Sequence, residues 1–141
     1  MSLRGSTDWA FIAGPFDVRD YECDLQGVVN NAVYLNYLEH ARHSYLSSVG
    51  IDFSKLTASG YHLVVTRSEL DYLKPLTSND RYVVCLDMSR VKRIRWCGDQ
   101  AIYRVNGDEE ELVLEAKILG TGVIDGKVGL PTDLLEVLEV N

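Results

Sequence analysis

One stretch of helical period, followed by strand pattern almost to the end of the chain, limits this sequence to few architectures. At about 100° per residue, Tyr34, Tyr37, Leu38, Ala41, Tyr45, Ser48 and Val49 gather on one face of a helix over Asn31–Val49. Asn36, His40, His43 and Ser47 fall on the opposite side. Asn30 or Asn31 is placed to cap the start, and Gly50 stands where a left-handed residue ends a helix. Beyond Gly50 the period changes to two. Tyr82, Val84, Leu86 and Met88 alternate with Arg81, Val83, Cys85, Asp87 and Ser89, the mark of a half-buried strand.

Leu112, Leu114, Ala116 and Ile118 repeat that alternation against Val113, Glu115, Lys117 and Leu119, and His62–Leu73 and Gln100–Val105 read as further strands. Before the helix, Phe11–Tyr21 reads as a strand that Pro15 makes an edge or an irregular start. Asn106-Gly107-Asp108 and Asp125-Gly126-Lys127 supply turns. Strands joined by short turns make an antiparallel sheet, and a lone helix with an apolar face must pack on it. The expected fold class is therefore α+β, one long helix wrapped by a curved antiparallel sheet of about five strands.

A chain of 141 residues with 46% hydrophobic and 25% charged residues suits one globular domain, expected over 11–141. Residues 1–10 read as a tag remnant or disordered start, Met1-Ser2-Leu3-Arg4-Gly5-Ser6 in particular. The net charge of −7 argues against nucleic-acid binding, which needs a basic surface, and against anionic lipid. No apolar run reaches membrane length and no signal-peptide core is present. Cys23, Cys85 and Cys97 are odd in number and unpaired in spacing, which suits free thiols in a reducing compartment. The expected location is the cytoplasm, or an organelle stroma if a transit peptide was removed.

The chemistry concentrates in Tyr21 to Tyr34. Asp24 stands just before a turn at Gly27 that opens the helix, and free N–H groups near Asn30 to Tyr34 are placed to hold a developing oxyanion. Such an acid could attack a carbonyl or deprotonate a water, and it could equally be a plain helix cap. Glu39 and Arg42 have the spacing of an (i, i+3) ion pair. Tyr21 reads equally as a core aromatic or a site residue. His40 and His43 lack metal-site spacing, Cys23 lacks a histidine partner, and no metal or organic cofactor is expected.

The segment resembles the 4-hydroxybenzoyl-CoA thioesterase family of the hot-dog superfamily. Tyr21, Asp24, Gly27, Val28, Val29, Tyr34, Tyr37, Glu39 and Arg42 meet the family's first pattern. Leu70-Asp71-Tyr72-Leu73-Lys74-Pro75 with Asp80 is similar to its second, and Leu114-Glu115-Ala116-Lys117 and Leu130-Pro131 also fit. Val28-Val29-Asn30-Asn31, with Arg42-His43 and Ser68-Glu69-Leu70, is closest to the plant and cyanobacterial type that acts on acyl-carrier-protein thioesters. The resemblance implies a hot-dog fold and hydrolysis of acyl-CoA or acyl-carrier protein, with Asp24 as nucleophile or general base. It also implies a homodimer or homotetramer. Asn31 stands where bacterial acyl-CoA members commonly carry histidine, and it cannot shuttle a proton near neutral pH.

The candidate catalytic set is therefore Asp24, Asn31, Tyr21 and Glu39, and the candidate substrate-binding set is Gly27, Val28, Val29, Asn30, Tyr34, Arg93 and Arg95. The last two belong to the basic run Arg90, Lys92, Arg93 and Arg95, which reads either as a solvated strand or as an anion site for coenzyme A phosphates or an acidic carrier protein. Leu35, Leu38, Leu63 and Val65 are candidates to line an acyl tunnel or simply to pack. A hot-dog enoyl-thioester hydratase and a non-catalytic acyl-thioester sensor are the alternative functions.

Overall fold

In the computed structural model, which describes residues 4–140, the helix ends where its chemistry says it must. The chain runs β1 (Phe11–Asp17), a 3-10 turn (Asp20–Glu22), α1 (Val33–Ser48), α2 (Phe53–Ala58), β2 (Tyr61–Tyr72), β3 (Arg81–Val91), β4 (Arg95–Asn106), β5 (Glu109–Ile124), β6 (Lys127–Val128), α3 (Thr132–Val137) and β7 (Glu139–Val140). Gly50 at φ 93° closes α1: its N–H donates to Ser47 C=O at 3.1 Å and Ile51 N–H donates to Leu46 C=O at 2.9 Å. Leu46 and Ile51 are both buried, the apolar contact that accompanies this kind of stop.

That closure turns the buried face slightly from the one the periodicity predicts. Tyr34, Tyr37, Leu38 and Ala41 are buried as expected, with Arg42 and Leu46 beside them, whereas Ser48 and Val49 are exposed. The predicted Glu39–Arg42 ion pair does not form among the described residues. Arg42 instead turns inward, donating to Gln100 Oε1 at 3.0 Å while Gln100 Nε2 donates to Leu38 C=O at 3.0 Å. Burial lowers the Arg42 pKa, with Glu39 opposing that shift through space.

The main sheet has the order β1-β3-β4-β5-β2, all antiparallel, with β6 added on β5 and β7 parallel to β3. Its inner face packs Val84, Leu86, Ile102, Leu114 and Ile118 against α1 in a single core. β1 carries a register shift between Ala13 and Phe16, the irregularity Pro15 predicts. The short helices α2 and α3 are additions to the sequence reading. Six residues are too few to show a period, although Asp52 caps α2 by accepting from Ser54 N–H and Lys55 N–H.

The outer face departs from the half-buried pattern. Val83, Cys85, Ala101 and Tyr103 form a second small cluster there, because residues 4–9 fold across it. Residues 1–3 of the segment expected to be a tag or disordered start lie outside the described residues, but from Arg4 it is pinned. Arg4 lies over the Trp9 ring at 3.8 Å and pairs with Asp87 at 2.8 Å, Trp9 Nε1 donates to Tyr103 Oη at 3.2 Å, and Tyr103 Oη donates to Arg4 C=O at 2.7 Å. No described helix is long and apolar enough to cross a membrane.

Candidate active site

Asp24 opens a tight turn that Gly27 makes possible by taking φ 82°. Gly27 N–H donates to Asp24 C=O at 3.0 Å and Asp24 N–H to Val28 C=O at 2.8 Å, closing the turn as a miniature hairpin. Its second arm is stitched outward: Asn30 N–H donates to Glu22 C=O at 2.9 Å and Val29 N–H to Leu76 C=O at 2.8 Å. Within the turn, Asp24 Oδ1 accepts from Gln26 N–H at 2.9 Å and Val28 N–H at 3.4 Å. One carboxylate oxygen is thus fixed by amides, which leaves Oδ2 outside the turn's hydrogen bonds.

Asp24 is exposed and lines a pocket of about 360 Å³ with Val28, Val29, Asn31, Tyr34, Tyr72 and Leu73–Pro75. Tyr34 is the buried anchor. Its hydroxyl accepts from Leu76 N–H at 3.1 Å and so ties α1 to the segment that forms the far wall. Burial is the first cause that pushes this hydroxyl's pKa up, so it stays a neutral phenol. Tyr72 reaches across from the end of β2 and donates to Asn31 C=O at 3.2 Å. Tyr72 and Lys74 carried no assigned role in the sequence reading; their signal was only their place in the second family pattern.

The amides expected to hold an oxyanion are mostly engaged. Asn30 N–H goes to Glu22, Ala32 N–H donates to Asn30 Oδ1 at 2.9 Å, and Val33 N–H donates to Asn30 C=O at 2.9 Å. Among the described residues the Asn31 and Tyr34 N–H groups have no acceptor, so the broad oxyanion site narrows to these two donors. Asn30 spends its side chain on a turn ahead of the helix; the N-cap is Ala32, with no side-chain cap hydrogen bond, so the capping predicted for Asn30 or Asn31 does not form.

Other candidates lie elsewhere. The 3-10 turn at Asp20–Glu22 throws Tyr21 into solvent, 77% exposed, where its hydroxyl accepts from Arg19 Nη1 at 2.7 Å. Tyr21 and Glu39 do not line the Asp24 pocket. Arg93 and Arg95 sit at the β3–β4 hairpin, whereas Arg104, whose Nη1 donates to Pro75 C=O at 2.9 Å, marks the pocket end of β4. The nine steps between Arg95 and Arg104 span about 30 Å of strand. Of the suggested tunnel residues, Leu38 is fully buried and Leu35 and Val65 are 41% and 46% exposed. Burial first, then Asp20, Glu22 and Asp24, push the Cys23 thiol upward, away from thiolate chemistry. Among the described residues no three His, Cys, Asp or Glu side chains gather as metal ligands.

Charges brace the pocket from behind. Arg104 Nη1 meets Asp80 at 2.9 Å, Arg104 Nη2 meets Glu111, and Lys74 Nζ meets Glu111 at 2.5 Å. Lys74 and then Arg104 hold the Glu111 carboxyl down to about 2. Burial works against the same shift at Asp80, but Thr77 N–H and Arg104 outweigh it. A carboxyl with a lowered folded pKa adds stability that is complete above its unfolded pKa and is lost as pH falls through the folded value. Thermal midpoints measured in acid are expected to fall between about pH 4.5 and 2, and Glu111→Gln is expected to flatten that fall.

Residues 18–138 match the family model described as the thioesterase-like superfamily. The chain is 40% identical over 129 residues to the chloroplastic acyl-acyl carrier protein thioesterase ATL2 of Arabidopsis thaliana, covering 90% of this chain and 66% of the relative. It is 42% identical over 100 residues to ATL3 of the same plant and name, covering 71% and 52%. The chain thus spans between about half and two thirds of the length of these relatives. The solved structure of a hypothetical protein from Aquifex aeolicus superposes with a TM-score of 0.83 at 31% identity, covering 92% of this chain and 99% of that one.

Proposed function

This chain belongs to the thioesterase-like superfamily, and from that premise we propose that it is an acyl thioesterase releasing a carboxylic acid from acyl-carrier protein or coenzyme A. The observation that carries the reading is one pocket that holds both the free Oδ2 of Asp24 and Asn31, whose N–H lacks an acceptor. A thioester carbonyl seated there puts its oxygen on Asn31 N–H, which strengthens its bond as negative charge develops. Asp24 Oδ2 takes a proton from a water that attacks the carbonyl carbon, or attacks that carbon itself. Collapse of the tetrahedral species breaks the C–S bond, and the thiolate leaves with a proton returned from Asp24 or from water; where Asp24 attacked directly, water then splits the mixed anhydride left on it, which releases the acid and restores the carboxylate. Asn31 and Tyr34 shape the pocket and hold its walls. Free thiol release from a panel of acyl-carrier-protein and acyl-CoA substrates tests the proposal. Saturable binding of the same substrates without turnover would favour the sensor instead.

The acyl carrier is proposed to be recognised by charge. The two plant relatives named as acyl-acyl carrier protein thioesterases support a carrier protein, an acidic partner that the exposed Arg93 and Arg95 would attract. Their distance from Asp24 within one copy becomes useful in a homodimer. β2 is one of the two outer strands of the main sheet, with Val64, Val65, Tyr72 and Leu73 36–51% exposed along or just beyond it. A two-fold axis pairing two β2 edges sets them antiparallel, which brings the hairpin end of one copy to the Asp24 end of the other. Reversing Arg93 and Arg95 to Glu is expected to raise the apparent KM for carrier-protein substrates about tenfold while kcat holds. An unchanged KM would remove the docking role. Free Cys23, Cys85 and Cys97 suit a reducing cytoplasm or stroma.

A further inference from the structure

Three hydrogen bonds join the approach to α1 and its first turn to Tyr72 and the segment that follows β2, and they serve different ends. Val29 N–H to Leu76 C=O at 2.8 Å and Leu76 N–H to Tyr34 Oη at 3.1 Å both end on Leu76, which is fully buried. They hold two walls of the Asp24 pocket together. The third, from Tyr72 Oη to Asn31 C=O at 3.2 Å, lands on the backbone between the two amides without an acceptor, Asn31 N–H and Tyr34 N–H. Among the described residues it is the one hydrogen bond that the Asn31 backbone makes. The helix supplies none there. Its N-cap, Ala32, has no side-chain cap bond, and Val33 N–H to Asn30 C=O at 2.9 Å and Leu35 N–H to Ala32 C=O at 3.2 Å step over Asn31.

We infer, on the hydrolase reading above, that Tyr72 is a positioning residue, whose hydroxyl fixes the Asn31 peptide so that the free amides at the helix start are aimed before charge develops. A donor stabilises an oxyanion most when it is already aimed, because nothing then has to reorganise as the charge forms. The peptide plane between Asn31 and Ala32 has two anchors. One, Ala32 N–H to Asn30 Oδ1 at 2.9 Å, is a local contact on an exposed loop. The other is the Tyr72 bond, which spans 41 residues and ties the plane to the end of β2. A water in place of Tyr72 would satisfy the carbonyl, but it is not fastened to the sheet, so the plane would be free to turn. The Tyr72 ring is itself held edge to face against Tyr34, with centroids 5.6 Å apart at 64°. Removing the hydroxyl alone therefore leaves the pocket wall in place.

Tyr72→Phe keeps the ring and removes the bond. Thiol release by the full chain is measured on the parent's best substrate in the acyl-carrier-protein and acyl-CoA panel. The kcat of Tyr72→Phe is expected to fall about tenfold with KM unchanged, because aimed donors favour the transition state over the ground-state carbonyl. Its melting temperature is expected to hold, since the side chain is half exposed. Amide ¹⁵N relaxation dispersion gives a second readout that needs no turnover. Asn31 and Ala32 are expected to be as still as α1 in the parent and to show microsecond-to-millisecond exchange in Tyr72→Phe. A parent-like kcat, a KM that rises while kcat holds, or an Asn31 as still in the variant as in the parent would each overturn the positioning role and leave the hydrolase reading standing. Thiol release absent from the parent itself would sink the hydrolase reading, and the positioning role with it.

Discussion

Asp24→Asn is expected to cut kcat for thiol release about 10³-fold, roughly 4 kcal/mol of barrier, with little change in folding stability. The contrast follows from the two oxygens of this side chain. Oδ1 is structural, accepting from Gln26 and Val28, and an asparagine oxygen accepts from the same amides, so the turn persists. Oδ2 is the oxygen outside those bonds, and an NH₂ in its place neither takes a proton nor attacks a carbonyl. The measurement is steady-state thiol release beside a thermal melt. Parent-like turnover by a folded Asp24→Asn chain would sink the mechanism. A single turnover in ¹⁸O-water gives a one-sided test of the mode of attack: label in the Asp24 carboxyl means that Asp24 attacked the carbonyl itself.

The largest expected effect on stability belongs to Gly120→Ala. Gly120 lies on β5 opposite Trp96 of β4 and Val65 of β2, where the indole ring crosses the strand. A Cβ there would stand 2.1 Å from Trp96 Cζ2 and 2.4 Å from the Val64 carbonyl oxygen. Neither can retreat easily. The ring is 3% exposed, with Nε1 donating to Thr121 C=O at 3.2 Å, and the carbonyl is part of a strand. Overpacking of this kind costs about 3 kcal/mol or more, a fall in melting temperature of roughly 10 °C. Gly129→Ala, with nothing near its added Cβ, is the control and is expected to change stability by less than about 0.5 kcal/mol. Equal melting temperatures for the two variants would refute the packing argument.

What the sequence revealed and what it hid divide along the range of the contacts. The helix face at Tyr34, Tyr37, Leu38 and Ala41 was legible because side chains three and four apart meet on one helix. The Gly27 turn was legible because only glycine adopts its backbone angle freely. The partner of Arg42 was not: local spacing offers Glu39, while the fold offers Gln100, 58 residues away. Tyr72 was missed as a pocket residue for the same reason, since its bond to Asn31 spans 41 residues. Tyr21 was placed in the site by its pattern, and a single 3-10 turn carries it out into solvent. At the start of the chain, small polar residues read as frayed, yet Trp9 among them was the sign of a segment with something to bury.

The position of Tyr72 ties the proposed chemistry to the amount of protein present. It is the last residue of the edge strand β2 and also a wall of the Asp24 pocket, bonded to Asn31 at the helix start. Whatever covers that edge therefore also closes the pocket. If two copies cover each other, specific activity is no longer a constant of the chain. It should rise with enzyme concentration until the edges are filled, so that dilution acts on this protein as an inhibitor would.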